Sequence, residues 1–297
     1  MSDFPVELNG AFTALITPFQ NGSVDHEAYA QLVERQIDNG IDGLVPCGTT
    51  GEAATLSKNE LLTTVETAVD AADGRVPIVA GTGSNDTEKT VETTRAVSKI
   101  EGVDAALVVT PYYNKPDQKG MYRHFVEVAD RGGLPVVLYN VPGRTGVSLE
   151  ATTVAKLAEH ENIVAIKEAS GDMTLDTEIL EQAGDQIQLL SGDDFTTFPL
   201  VALGGKGCIS VVSNLDPWTM SELVAAARDG DLETARRMHQ KIQPLARALF
   251  ARPNPVPTKT AAALLGWCRA EVRPPLYTPS EEFREDLRGV LDDYGLF

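Results

Sequence analysis

Eight short apolar runs, each followed by a longer segment of helical period, constrain this chain more than any other feature. They lie at 12–16, 43–45, 77–80, 105–109, 135–139, 163–166, 187–190 and 207–211. The runs are continuous rather than alternating, as strands covered on both faces are. Between them, Leu61, Leu62, Val65, Ala68, Val69 and Ala72 share one helical face, and Met121, Phe125, Val128 and Ala129 share another. Start signals agree with this reading. Ser57-Lys58-Asn59-Glu60 has the spacing of a capping box, Asp86 can cap the next helix, and Asp216-Pro217 supplies a cap and a first residue. Strands and helices in strict alternation point to the α/β class and to a (β/α)8 TIM barrel. A doubly wound sheet is the alternative, but no Gly-rich dinucleotide turn follows the first strand. Gly81-Thr82-Gly83-Ser84-Asn85-Asp86 begins like that fingerprint and lacks its third glycine. Gly204-Gly205-Lys206-Gly207 has neither the spacing nor the Ser/Thr of a phosphate loop.

Past the eighth run the pattern stays helical, with Ala235, Met238, Ile242, Leu245 and Leu249 forming one stripe. The expected division is a barrel with the active site over 1–230 and a C-terminal helical region over 231–297. No flexible linker separates them, so the appendage should pack on the barrel.

A formal net charge of −18 argues against nucleic acid and anionic membranes as partners, since both require a basic face. The acidic residues are spread along the chain, and lysines are few. Such a surface suits a halophilic setting, where salt screens self-repulsion. The chain has no apolar run of roughly 20 residues that could span a membrane. Its first residues show no basic run leading into an apolar stretch, so a cytoplasmic location is expected. Cys47, Cys208 and Cys268 are distant from one another and odd in number, which fits a reducing compartment. They lack zinc-ligand spacing, and His26, His124, His160 and His239 are equally scattered. No metal site is expected.

In a barrel, chemistry gathers where strands reach the C-terminal face. Four unusual segments fall there: 47–52 after the second run, 110–114 after the fourth, 139–146 after the fifth and 167–171 after the sixth. Lys167 closes an otherwise apolar run. It is either an amine aimed into the barrel mouth, where withdrawal from water favours nucleophilic attack on carbonyls, or a strand-end lysine paired with Glu168. The turn Gly48-Thr49-Thr50-Gly51 offers clustered N–H groups and two hydroxyls to a small carboxylate, or is simply a tight connection. Tyr139 can shuttle protons or pack, and Arg144 can grip a carboxylate bidentately or sit on the surface.

Taken together and in this order, these segments resemble the dihydrodipicolinate synthase and N-acetylneuraminate lyase family. The resemblance runs from Gly10 through Leu190-Ser191-Gly192-Asp193-Asp194 and Gly207-Cys208-Ile209-Ser210 to Pro253-Asn254-Pro255-Val256-Pro257. Tyr112-Tyr113-Asn114 and Pro142-Gly143-Arg144-Thr145-Gly146 look like the synthase branch. Sugar-acid aldolases typically lack that arginine.

The resemblance implies a class I aldolase in which Lys167 forms an imine with pyruvate. The resulting enamine adds to aspartate semialdehyde, giving 4-hydroxy-tetrahydrodipicolinate on the diaminopimelate route to lysine. It implies proton transfer by Tyr139, Thr49 and Tyr113, with the pyruvate carboxylate on Thr49 and Thr50. Arg144 would hold the aldehyde's carboxylate, and Gly192 and Ile209 would line the pocket. No cofactor is implied, since the imine is itself the electron sink. A homodimer or homotetramer is implied, with Tyr113 completing its partner's site. One departure stands out. Lysine-inhibited members carry polar and acidic residues where this chain has Ala53, Lys58, Leu61 and Lys89, so feedback inhibition is not expected.

The nearest rival is a 2-keto-3-deoxygluconate-type aldolase using the same lysine, against which Arg144 discriminates. A metal-dependent barrel would need clustered histidines and carboxylates at strand ends. A non-catalytic binding barrel would not need Lys167 and Tyr139 together.

Overall fold

The computed structural model describes residues 5–297; residues 1–4, the start of the stretch inspected for a leader, lie outside it. Eight parallel strands form the barrel: β1 (Gly10–Ala14), β2 (Gly43–Val45), β3 (Val79–Gly81), β4 (Ala105–Val109), β5 (Val136–Asn140), β6 (Ile163–Glu168), β7 (Gln188–Ser191) and β8 (Gly207–Ser210). Their hydrogen-bonded order is β2-β1-β8-β7-β6-β5-β4-β3. The ring closes between β2 and β3 through a single bridge, Leu44 with Ile78, supported by Leu44 N–H to Pro77 O at 3.0 Å and Gly81 N–H to Pro46 O at 2.9 Å. The expected barrel is therefore present. Each run matches a strand, although β1 is shifted two residues toward the N-terminus relative to its run, with Leu15 and Ile16 already in the following loop.

A small antiparallel hairpin, Phe19–Gln20 with Ser23–Val24, turns through Asn21 and Gly22, both at positive φ. Asn-Gly is the pair that this turn geometry favours. One helix follows each barrel strand, the last being Pro217–Arg228, with an extra helical turn at Pro142–Thr145 after β5. The anticipated caps are all formed. Ser57 and Glu60 make a reciprocal capping box, Asp86 accepts from the Lys89 N–H, and Asp216 accepts from the Thr219 N–H.

Inside the barrel, Phe12, Val45, Leu107, Val137, Leu190 and Ile209 pack in one cluster, with Tyr139 above them. The opposite faces of the strands pack under the outer helices. On one flank that outer cluster continues through Met220 and Leu223 into the helices Leu232–Leu249, Val256–Leu264 and Glu281–Tyr294. Ile242, Leu245 and Leu249 are wholly buried there, each contributing about 1.5–3 kcal/mol of apolar stabilisation. The C-terminal helices are thus fused to the barrel wall.

Candidate active site

Alternation along β6 sends Lys167 and Glu168 to opposite faces, which settles the strand-end alternative. Lys167 is 5% exposed, its Nζ lies 4.4 Å from the centre of the Tyr139 ring, and no carboxylate among the described residues pairs with it. Strand register explains the contact, since Tyr139 and Lys167 are Cα partners across β5 and β6. Gly192, just past β7, presses on the lysine stem. A Cβ there would stand 2.9 Å from Lys167 Cγ and Cε, so any side chain would displace the amine. Ile209 is buried in the same interior cluster.

The turn after β2 lies at the same end of the barrel, across the ring from β6. Thr50 is buried and Thr49 half-buried. The turn is framed by Cys47 and Glu52, both at φ 55°, and Glu52 N–H donates to Thr49 O at 3.1 Å. Gly81 lets it sit against β3, because a Cβ at that position would lie 2.1 Å from Cys47 O. Close approach of strand ends, not dinucleotide binding, accounts for Gly81. Burial pushes the Cys47 thiol up to about 12, so it does not serve as a nucleophile.

Arg144 sits exposed on the single turn Pro142–Thr145, where it has no ion pair among the described residues. Gly146, at φ 75°, ends that turn. The turn is tied to the loop after β4 by Thr110 Oγ1 to Thr145 Oγ1 at 3.3 Å. Tyr113 stands apart from these groups: it is 88% exposed, at φ 73°, with Tyr112 at 37% beside it. One chain therefore brings together Lys167, Tyr139, Gly192 and Ile209, with Thr49, Thr50 and Arg144 on loops at the same end of the barrel. It leaves Tyr113 projecting outward. Among the described residues no group of three or more His, Cys, Asp or Glu side chains gathers as for a metal ion. His124 illustrates why. Burial pulls it down to about 4, and its Nδ1 is engaged with Thr87 Oγ1 at 2.9 Å, joining two outer helices.

Three features escaped the sequence reading. Glu52 accepts from buried Lys259 at 2.7 Å and from the Arg273 N–H at 3.0 Å. Losing one partner of a buried pair of this kind costs about 3–5 kcal/mol. Asn254 Nδ2 donates to Thr50 Oγ1 at 2.9 Å. A lysine within the apolar helix Val256–Leu264 was the available signal, because such a charge must find a buried partner.

The third feature is Asp176, buried against Glu168. Glu168 accepts from Asn140 Nδ2 at 2.8 Å and from the Ser170 hydroxyl at 2.7 Å. Burial raises both carboxyls, and the added charge of Glu168 pushes Asp176 up to about 7. Asp176 therefore holds its proton to a higher pH than an exposed acid does. Because its folded value lies above the unfolded one, the stability it confers is complete below about pH 4 and is lost as pH rises through 7. Asp176→Asn, whose amide donates at every pH, is expected to be about 1–2 kcal/mol more stable relative to wild type at pH 8.5 than at pH 5. Thermal melts at the two pH values measure this, and equal differences at both would mean that Asp176 ionises normally in the folded chain.

The fold and the amine at its mouth place the chain among (β/α)8 barrels equipped for carbonyl chemistry through an imine. The model of the dihydrodipicolinate synthetase family matches residues 7–293, and the chain belongs to that family. It is 50% identical over 287 residues to the 4-hydroxy-tetrahydrodipicolinate synthase of Pelobacter propionicus, covering 97% of this chain and 99% of that one. A chloride-inhibited dihydrodipicolinate synthase from Acinetobacter baumannii, solved with pyruvate, superposes with a TM-score of 0.96 at 42% identity, covering 98% of this chain and 100% of that one. A dihydrodipicolinate synthase variant described as monomeric superposes with a TM-score of 0.95 at 42% identity, covering 97% of each chain.

Proposed function

We propose that this enzyme condenses pyruvate with L-aspartate 4-semialdehyde to 4-hydroxy-tetrahydrodipicolinate, in the diaminopimelate route to lysine. The observation that carries this reading is the buried Lys167 amine, 4.4 Å from the Tyr139 ring centre, in a chain half identical to a relative named for that synthesis. Residues 1–230 supply the barrel and its site, and residues 231–297 the appended helices. The reaction is assigned to the cytoplasm; no helix among the described residues is long and apolar enough to cross a membrane.

Lys167 Nζ attacks the ketone carbon of pyruvate, and loss of water leaves a protonated imine. That cation draws electrons from the methyl group, which releases a proton and becomes the nucleophilic carbon of an enamine. This carbon bonds to the aldehyde carbon, and the aldehyde oxygen takes up a proton. The amino group of the second substrate then attacks the imine carbon. The bond to Lys167 breaks, closing the ring and restoring the amine. Tyr139, Thr49 and Tyr113 carry the protons. Thr49 and Thr50 hold the pyruvate carboxylate, Arg144 holds the carboxylate of the semialdehyde, and Gly192 and Ile209 line the pocket. The imine does the electron withdrawal, so the scheme calls for no cofactor.

Turnover with pyruvate and aspartate semialdehyde, beside pyruvate and glyceraldehyde, tests the assignment. Product should form with the semialdehyde and hardly at all with glyceraldehyde; preference for glyceraldehyde would favour a sugar-acid aldolase. In the same assay millimolar L-lysine should inhibit weakly or not at all. Exposed Lys58 and Lys89 add positive charge and Leu61 is apolar where an effector lysine would need acceptors. Strong cooperative inhibition would show that a lysine site is built from other residues.

The net charge of −18 suits a halophilic surface. The melting temperature should rise from 0.1 M to 1 M salt, as the Debye length falls from about 10 Å to about 3 Å. A salt-independent melt would mark an ordinary acidic enzyme.

A further inference from the structure

We propose that Asn254 is a positioning residue for pyruvate: through Thr50, the C-terminal region sets the affinity of a carboxylate site that belongs to the barrel. The inference rests on the reading of Thr49 and Thr50 as that site.

The turn at 47–52 holds two L-residues, Cys47 and Glu52, in the left-handed region, a conformation that persists only when surrounding contacts impose it. From the barrel side, the Thr17 hydroxyl donates to Gly51 O at 2.8 Å. Four further polar contacts reach the turn and the residues just after it from more than 200 residues downstream. Asn254 Nδ2 donates to Thr50 Oγ1 at 2.9 Å, Lys259 Nζ to Glu52 Oε1 at 2.7 Å, the Arg273 N–H to Glu52 Oε2 at 3.0 Å and Arg273 Nη1 to Thr55 O at 2.8 Å. Lys259 and Arg273 both stand over the Phe19 ring, at 4.0 and 4.4 Å from its centre, which fixes the height of the clamp above the hairpin.

Among these contacts, the one from Asn254 determines the chemistry. A threonine hydroxyl has one hydrogen and two lone pairs. With an amide N–H occupying a lone pair of Thr50 Oγ1, the hydroxyl hydrogen must point elsewhere. No protein acceptor among the described residues takes it. Asn254 therefore turns Thr50 into a donor, the polarity that a carboxylate requires and that a freely rotating hydroxyl would present only part of the time. Asn254 is 8% exposed, so water does not readily replace it.

The test measures pyruvate binding separately from turnover, by the pyruvate concentration that gives half-maximal borohydride capture in the absence of aldehyde. Asn254→Ala is expected to raise that concentration, and the KM for pyruvate, about five- to tenfold. The KM for the semialdehyde should hold within a factor of two. Asn254→Asp should bind pyruvate still more weakly, because its carboxylate accepts the Thr50 proton and repels the substrate. Thr50→Val should itself raise the pyruvate KM, and adding Asn254→Ala to it should change nothing further, since both act through one hydroxyl. Should Asn254→Ala not fold, Asn254→Ser carries the same measurement.

A folded Asn254→Ala protein with an unchanged pyruvate KM overturns the proposal. So does an equal rise in both KM values, which would mark general loosening, and so does wild-type affinity in Asn254→Asp. If Thr50→Val binds pyruvate normally, the carboxylate-site reading fails along with it. A rise for Thr50→Val with none for Asn254→Ala removes the positioning role alone.

Discussion

Lys167→Ala is expected to lower turnover by about four orders of magnitude or more and to abolish covalent capture of pyruvate. In the wild type, borohydride should fix one reduced pyruvyl group per chain, and mass spectrometry of the digest should place it on Lys167. The structure offers a sharp internal control. Lys167 and Lys259 are the two deeply buried lysines, at 5% and 0% exposure, yet their surroundings are opposite. Burial lowers the Lys259 pKa, but Glu52 at 2.7 Å opposes that lowering and engages the nitrogen in a buried pair, closed off from any carbonyl. Lys167 has an aromatic face beside it and no acidic partner among the described residues. An adduct on Lys259, on a surface lysine, or on none would end the imine mechanism. Circular dichroism of the Lys167→Ala protein separates loss of chemistry from loss of fold.

Mixing Tyr113→Phe with Lys167→Ala under conditions that exchange subunits is expected to restore activity that neither variant has alone. Tyr113 is 88% exposed at a positive φ, so its own chain neither buries it nor relieves its backbone. Adjacent exposed aromatics at the rim of a barrel mark a contact surface. If a second copy covers that surface with two-fold symmetry, Tyr113 of one chain reaches the site of the other. A mixed dimer then holds one complete site, with Lys167 from one chain and Tyr113 from its partner. Random exchange makes half the dimers mixed, so about a quarter of wild-type activity should return. A related variant described as monomeric has the same fold, with a TM-score of 0.95. Dimeric, exchanging variants that regain nothing would confine Tyr113 to its own chain.

What the sequence made legible follows from the range of each interaction. Strands and helices were readable because burial on both faces writes continuous apolar runs, and caps are fixed by residues three apart. Lys167 stood out because a charge at the end of an apolar strand contradicts its surroundings. Its freedom from Glu168 follows from strand alternation and needed only the register. The contacts of Asn254 with Thr50 and of Lys259 with Glu52 were not legible, since their partners lie 204 and 207 residues apart. Asp176 was hidden for a different reason. An acid in the first turn of a helix is an ordinary surface feature, and only the folded placement of Met173–Ala183 buries it beside a second acid. Gly81 was visible as an oddity, and its meaning came from the 2.1 Å gap that only a hydrogen can fill.

The clamp on Glu52 also bears on how the enzyme is made. A ribosome delivers the chain from the N-terminus, and residues 10–210 contain every barrel strand. The turn after β2 nevertheless lacks these fastenings until Asn254, Lys259 and Arg273 have emerged. A nascent barrel can therefore close its sheet while Glu52 is still an unpaired acid facing an unfilled flank. The turn is fastened late, with the last quarter of the polypeptide, and a chain cut short after its eighth strand would carry Lys167 but none of these contacts.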